Sequence, residues 1–259
     1  MHPFLTFGRL SLPVYGLLAV FAAVFCVILL AYTPLRREIS REDIIYGAFY
    51  GIIGAIIGAK GLYLLTLLPE IFRHWQAVAA DPSVLLTAFS GGFVFYGGLI
   101  GGVLGILRYC RRYHLEFLAM TDAFGVVLPL GHSIGRIGCF FAGCCYGLPY
   151  EGPLAVVFPA GSYGMSGVSL FPLQLAEAFL DLLLFLFLLM LSRLHRPSGF
   201  LSGCYLCGYA VFRFVLEFFR GDVLRGILWG FSTSQWLSVF LLFIGIFLLF
   251  RSASPKYRL

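Results

Sequence analysis

Runs of roughly twenty apolar residues, separated by short charged patches, recur from one end of the chain to the other. A run of that length crosses the hydrocarbon of a bilayer as one helix, whose backbone groups satisfy one another where water cannot. Seven runs are present: 13–33, 44–68, 84–107, one starting at Phe117, 171–191, 200–219 and 229–250. The fourth continues to about Gly147, too long for a straight crossing, and holds Pro129, Gly131, Gly135, Gly138 and Gly143. A break or re-entry is expected there. With no repeat of fixed period and no long linker, the pattern predicts a single all-α, polytopic membrane domain over residues 1–259 with seven transmembrane helices.

Composition agrees. With 60% hydrophobic residues in 259, the apolar surplus exceeds what a soluble core of this size buries, which excludes a soluble enzyme, a disordered chain and a collagen-like repeat. The formal charge of +6 raises nucleic acid as a partner. Lys and Arg nevertheless sit in clusters between the apolar runs rather than along one polar face, so no nucleic-acid partner is expected. Read as topology, the patches Arg36/Arg37/Arg41, Arg108/Arg111/Arg112, Arg193/Arg196 and Arg251/Lys256/Arg258 hold eleven cations, and the alternating connections hold four, Arg9, Arg73, Arg220 and Arg225. Positive charge is retained on the cytoplasmic side, which puts the N-terminus outside and the C-terminus in the cytoplasm. The first span reads as its own insertion signal rather than a cleaved leader. The connection 148–170, rich in Gly and Pro and without Lys or Arg, is expected outside, as a lid or a plain loop.

Ionisable side chains inside spans default to functional candidates. Here they are Lys60, Asp122, His132, Arg136, Glu177, Asp181, Arg213 and Glu217. Arg213, Glu217 and Arg220 share a helix face, so Glu217 can pair with either arginine. The pairing is either purely structural, or it leaves one guanidinium over for an anion, for which phosphate is the natural match. Arg136 stands among Gly135, Gly138 and Gly143, where unwound backbone would approach an anionic head group, unless the glycines serve helix packing. Tyr96, in the glycine cluster 91–102, offers either a phenol in a cavity or a hydrogen-bonded filler. Of seven cysteines, Cys26 and Cys110 read as structural, and Cys204 and Cys207 as small packing residues on one face. Cys139, Cys144 and Cys145 fall in the stretch that holds Arg136. No cofactor and no metal are expected.

Six landmarks follow one another in order: Tyr15-Gly16, Gly58-Ala59-Lys60, Phe95 to Gly101, Gly135-Arg136-Ile137-Gly138, Pro172-x-Gln174-Leu175-x-Glu177, and Phe212-Arg213-x-x-x-Glu217-Phe218-x-Arg220. Together they resemble the prolipoprotein diacylglyceryl transferase family over almost the whole chain. The resemblance implies an enzyme of the bacterial cytoplasmic (inner) membrane that moves the diacylglyceryl unit of phosphatidylglycerol onto the lipobox cysteine thiol of a lipoprotein precursor, releasing glycerol phosphate. It implies Arg136 and Arg213 as the essential arginines, with Tyr96 at the catalytic position. Tyr15, Lys60, Gly97, Gly98, Gly135, Gly138, Gln174, Glu177, Glu217 and Arg220 follow as substrate-binding residues. The sequence departs from the family pattern at Tyr96, where the family has a histidine, and at Cys139, Ala142 and Cys144, where its signature has two asparagines and a glutamate. A phenol is a weak base at neutral pH unless cations favour the phenolate, and His132, four residues before Arg136, is a second candidate base. Two other readings stand beside this one: a relative that acts on an anionic lipid with a different acceptor, and a membrane thiol-redox or metal-binding protein built on Cys139, Cys144, Cys145 and His132. A transporter would show two related halves, which the sequence lacks.

Overall fold

A computed structural model describes residues 4–7, 10–36, 38–76, 81, 83, 90–160, 162, 164–222 and 226–253. The apolar runs become helices α1 (Val14–Tyr32), α2 (Arg41–Arg73), α3 (Phe95–Tyr113), α4 (Phe117–Ala142), α5 (Leu173–Ser192), α6 (Phe200–Leu216) and α7 (Thr233–Ala253). All but α3 are long and apolar enough to cross a bilayer. Large apolar side chains such as Ile57, Phe179 and Phe243 stay exposed along them, as lipid-facing positions require. Among the described residues three short antiparallel hairpins complete the fold: β1–β2 (Phe4–Phe7, Leu10–Pro13), β3–β4 (Val156–Val157, Ser169–Leu170) and β5–β6 (Ile227–Leu228, Phe231–Ser232).

Two expectations need correction. The third apolar run does not form a helix over 84–107: residues 84–89 lie outside the described residues, residues 91–94 are not helical, and α3 starts at Phe95 and continues to Tyr113. The Gly91-Gly92 pair resists helix, and its surroundings hold it open, since Val94 N–H donates to the Ala59 carbonyl (3.1 Å) and Lys60 Nζ to the Gly91 carbonyl (2.7 Å). Tyr96 therefore sits in the first turn of α3, not midway along a span. The fourth run does not break at Pro129 or among the glycines before Ala142. It is one helix of 26 residues, roughly 39 Å long, and unwinds only at Gly143, which takes φ +76°. Gly131 and Gly138 are contact points for neighbouring side chains, with added Cβ atoms 3.4 Å from Cys26 Sγ and from Tyr15 Cα respectively. Close packing, not an open backbone, explains them.

The chain forms two compact units, residues 38–120 and residues 1–37 with 121–259. In the first, α2 starts at a Ser40 cap, whose Oγ accepts the Asp43 N–H (3.0 Å), and Tyr109 Oη of α3 donates to Asp43 (2.8 Å). Between those ties Gly54 and Gly58 of α2 meet Gly97, Gly101 and Gly105 of α3 so closely that a Cβ on any of the five would collide with backbone of the opposite helix. In the second unit Val126, Leu184, Phe185, Leu188 and Leu201 form an apolar core. The connection 148–170 is no loose lid: Tyr150 N–H donates to Ser169 (3.0 Å), Phe171 N–H to Leu148 (3.0 Å), and Phe158 is fully buried against Phe140.

Asp122, 0% exposed, serves as the cap of a different helix. Its carboxylate accepts Gly199 N–H (2.9 Å), Ser202 N–H (2.7 Å) and Ser202 Oγ–H (2.7 Å) at the start of α6, satisfying donors that a helix N-terminus leaves open. Asp122→Ala is expected to lower the thermal stability of the purified protein by about 2 kcal/mol, with Asn recovering part of it. An unshifted melting curve for the Ala variant would show the cap to be dispensable.

Candidate active site

Three helix ends carry the central group of charges. Arg136 lies in the last two turns of α4, Glu177 in the second turn of α5, and Arg213 in the last turn of α6. Glu177 is the hub. Its Oε2 meets Arg136 Nε at 2.7 Å, its Oε1 meets Arg213 Nη1 at 2.7 Å, and Arg220 Nη1 stands 4.0 Å from Oε1. Arg213 also holds Glu217 (2.6 Å), one turn on, and Ser234 Oγ at the start of α7 (3.3 Å), while Ser232 Oγ donates to Glu217 (2.9 Å). Buried charges persist only when paired in this way.

By spacing Glu217 could pair with either Arg213 or Arg220, and it pairs with Arg213; Arg220 has a partner of its own. It forms a two-bond fork with Asp222 (2.7 and 2.8 Å). Burial opposes its charge, but the Asp222 hydrogen bonds and the neighbouring anionic groups more than offset this and hold it above the usual guanidinium range. The guanidinium with an open edge is instead Arg136: its Nε stands nearest to Glu177, no hydrogen bond from its Nη atoms occurs among the described residues, and its side chain is 20% exposed.

Arg136, Glu177, Asp181, Tyr209, Phe212 and Arg213 line a partly open cavity of about 10 Å³, no more than the ~10–15 Å³ that one water needs. Phe212 also borders an apolar groove of about 440 Å³ beside Leu183, Leu184, Phe187 and Leu249. Asp181, already a candidate by its charge, lies one turn beyond Glu177, and periodicity could have added Tyr209, one turn before Arg213. Asp222, in a non-helical stretch, carries no such signal.

The other site candidates divide between the two units. Gln174, fully buried, donates to the Cys144 carbonyl (2.7 Å), and Tyr15, exposed at the start of α1, packs on Gly138. Gly135 has open space around it. Lys60, Tyr96, Gly97 and Gly98 belong to the unit of residues 38–120. There Lys60 Nζ lies over the Tyr63 and Phe93 rings at 5.0 and 5.3 Å from their centroids, and Tyr96 is half-buried with its ring edge against Phe95. His132 places its ring 5.2 Å from that of Tyr209.

A sequence model of the prolipoprotein diacylglyceryl transferases matches residues 3–251. The chain belongs to that family. Relatives carrying the name phosphatidylglycerol–prolipoprotein diacylglyceryl transferase include one from Clostridium tetani, 37% identical over 90% of this chain and 90% of its own length. A second, numbered 2, from Clostridium perfringens is 34% identical over 90% and 88%, and one from Idiomarina loihiensis is 35% identical over 95% and 90%.

Proposed function

We propose that this protein transfers the diacylglyceryl unit of phosphatidylglycerol to the cysteine thiol of a lipoprotein precursor, in the bacterial inner membrane, as a seven-helix protein with its N-terminus outside and its C-terminus in the cytoplasm. In this reaction a thiolate sulfur attacks the glycerol carbon that bears the phosphate. The C–S bond forms as the C–O bond breaks, and glycerol phosphate leaves with the electron pair. Charge develops on the leaving phosphate, so catalysis asks for preorganised cations there and for a group that takes the thiol proton.

The observation that carries the reading is the open Nη edge of Arg136 beside Arg213, in a chain of this family. That edge is a ready fork for two phosphate oxygens, and the groove past Phe212 has the size and apolarity that acyl chains require. The space among the ion pairs is no larger than one water, so substrate entry involves rearrangement of Arg136 and Glu177. Head-group-labelled phosphatidylglycerol in vesicles, with the purified protein and a lipobox peptide, should yield labelled glycerol phosphate and lipidated peptide in equal amounts. No release in the presence of peptide would end the proposal. If the Tyr96 phenol takes the thiol proton, Tyr96→Phe should cut turnover by about 10²–10⁴-fold, and a fully active Phe variant would reassign the base.

A further inference from the structure

We propose that Cys139, Cys144 and Cys145 bind one thiophilic d¹⁰ dication of the zinc class, whose open fourth position takes up and ionises the acceptor thiol. The metal site stands on the geometry below, and its use rests on the transfer reaction proposed above.

Spacings of five and one do not put three side chains on one helix face, and the fold does so by ending the helix among them. After Ala142 the chain turns through Gly143 (φ +76°) and Cys145 (φ 58°), the second a left-handed conformation that a residue with a β-carbon adopts only when its surroundings impose it. The turn brings Cys144 N–H back to the Cys139 carbonyl (3.1 Å) and leaves the three Sγ atoms within 4.8 Å of one another. Zn–S bonds of ~2.3 Å in a tetrahedral site put sulfurs roughly 3.8 Å apart, so a small inward movement completes the coordination.

The loop is fixed from several sides. Gln174 Nε2 donates to the Cys144 carbonyl (2.7 Å), Gly147 N–H to Phe171 (3.2 Å), and Ser162 leaves no room for a Cβ at Gly143. Cys139 is buried while Cys144 and Cys145 are half-buried, which shelters the thiols yet leaves an entrance. Three thiolates around a dication carry a net negative charge, and cations stand ready to offset it. Arg136 lies three residues before Cys139, and Arg220, with 4% of its side chain exposed, has an Nη1 without a hydrogen-bond acceptor.

Three protein ligands with one open position is the pattern of a catalytic rather than a structural zinc site. A thiol that coordinates there gives its proton to solvent and remains a thiolate at neutral pH. Its sulfur then forms the C–S bond while glycerol phosphate departs. No electrons are exchanged with an outside oxidant or reductant. This chemistry ionises the acceptor without a side-chain base, and two of its three ligands, Cys139 and Cys144, stand where the sequence departs from the family pattern.

The full-length protein, purified in detergent, reduced and stripped with a chelator, is titrated with Cd²⁺ as a spectroscopic d¹⁰ probe. A thiolate-to-cadmium band should saturate at one ion per chain and be displaced by Zn²⁺. Cys139→Ser, Cys144→Ser and Cys145→Ser should each weaken binding by more than the ~10–100-fold that loss of a supporting partner costs, whereas Cys204→Ser and Cys207→Ser should leave it intact. Should a Ser variant fail to fold, Zn²⁺ protection of Cys139, Cys144 and Cys145 from alkylation in the unaltered protein reads the same site. Adding a lipobox peptide should strengthen the band, and a peptide with Ser for Cys should not. No uptake by the reduced unaltered protein, or uptake insensitive to the three substitutions, overturns the metal site even if glycerol phosphate is released. Uptake without any response to the peptide thiol overturns its role in ionising the acceptor. Metal uptake with the peptide response but no release of glycerol phosphate keeps the site and removes the transfer reaction instead.

Discussion

Arg213→Ala is expected to remove both turnover and a large part of the stability of the protein. Its guanidinium meets Glu177 at 2.7 Å and Glu217 at 2.6 Å and reaches Ser234, so truncation leaves two buried carboxylates without their shared cation. Breaking one side of a buried ion pair costs about 3–5 kcal/mol, which for a chain of this size is a fall in melting temperature on the order of 10 °C. Arg136→Ala should behave differently. It breaks a single contact of a partly exposed side chain, so glycerol phosphate release should vanish while most of the stability remains. Lys at position 213 keeps the charge but not the planar fork, and should recover part of the stability with little turnover. Melting curves and labelled-lipid turnover, measured on the same preparations, check all three. An Arg213→Ala protein that melts and turns over as the parent does would show the hub to be incidental.

The second large effect belongs to the other unit. A Cβ at Gly58 would strike the Gly97 carbonyl, and one at Gly101 the Gly54 carbonyl, so no rotamer change relieves the clash and the helices must separate. Gly58→Leu or Gly101→Leu should therefore exceed the ~4–5 kcal/mol that marks exceptional substitutions and deplete the protein from the membrane. Gly61→Ala, at a position with open space around it, is the matched control and should accumulate normally. Equal yields of all three would mean that α2 and α3 do not depend on backbone contact.

Helix positions were legible because lipid allows few alternatives: a run of twenty apolar residues with its backbone satisfied internally is a helix almost by necessity. Where the constraint weakened, so did the reading. The apolar content of the segment before Tyr96 assigns it to a span, and the Gly91-Gly92 pair, with the hydrogen bonds of Gly91 and Val94 to α2, overrides that. Pro129 and the glycines after it mark the stretch as one to break, but they do not say where: α4 runs through Pro129 within a packed unit and ends only before Gly143. Of the site, the arginines could be found from their cost in lipid alone. The role of Glu177 could not, because its partners Arg136 and Arg213 arrive from two other helices and no spacing encodes that meeting. The cysteine triad is named by the sequence as a soft-ligand set together with His132, yet its geometry is not legible there. Its convergence depends on two left-handed residues, one of them Cys145, which nothing in the local sequence announces.

Glu177 also binds the fate of the molecule to the state of its chemistry. The carboxylate that neutralises two guanidinium groups is the same one that ties the ends of α4, α5 and α6, so a substitution at Glu177 or Arg213 loosens the helices as well as the charge balance of the site. A cell carrying a damaged hub therefore experiences scarcity before it experiences slowness. Growth complementation, which counts product and not molecules, will score a vanished protein and an idle one alike, and substitutions at Glu177 and Arg213 acquire meaning only when the amount of protein in the membrane is measured beside what that protein makes.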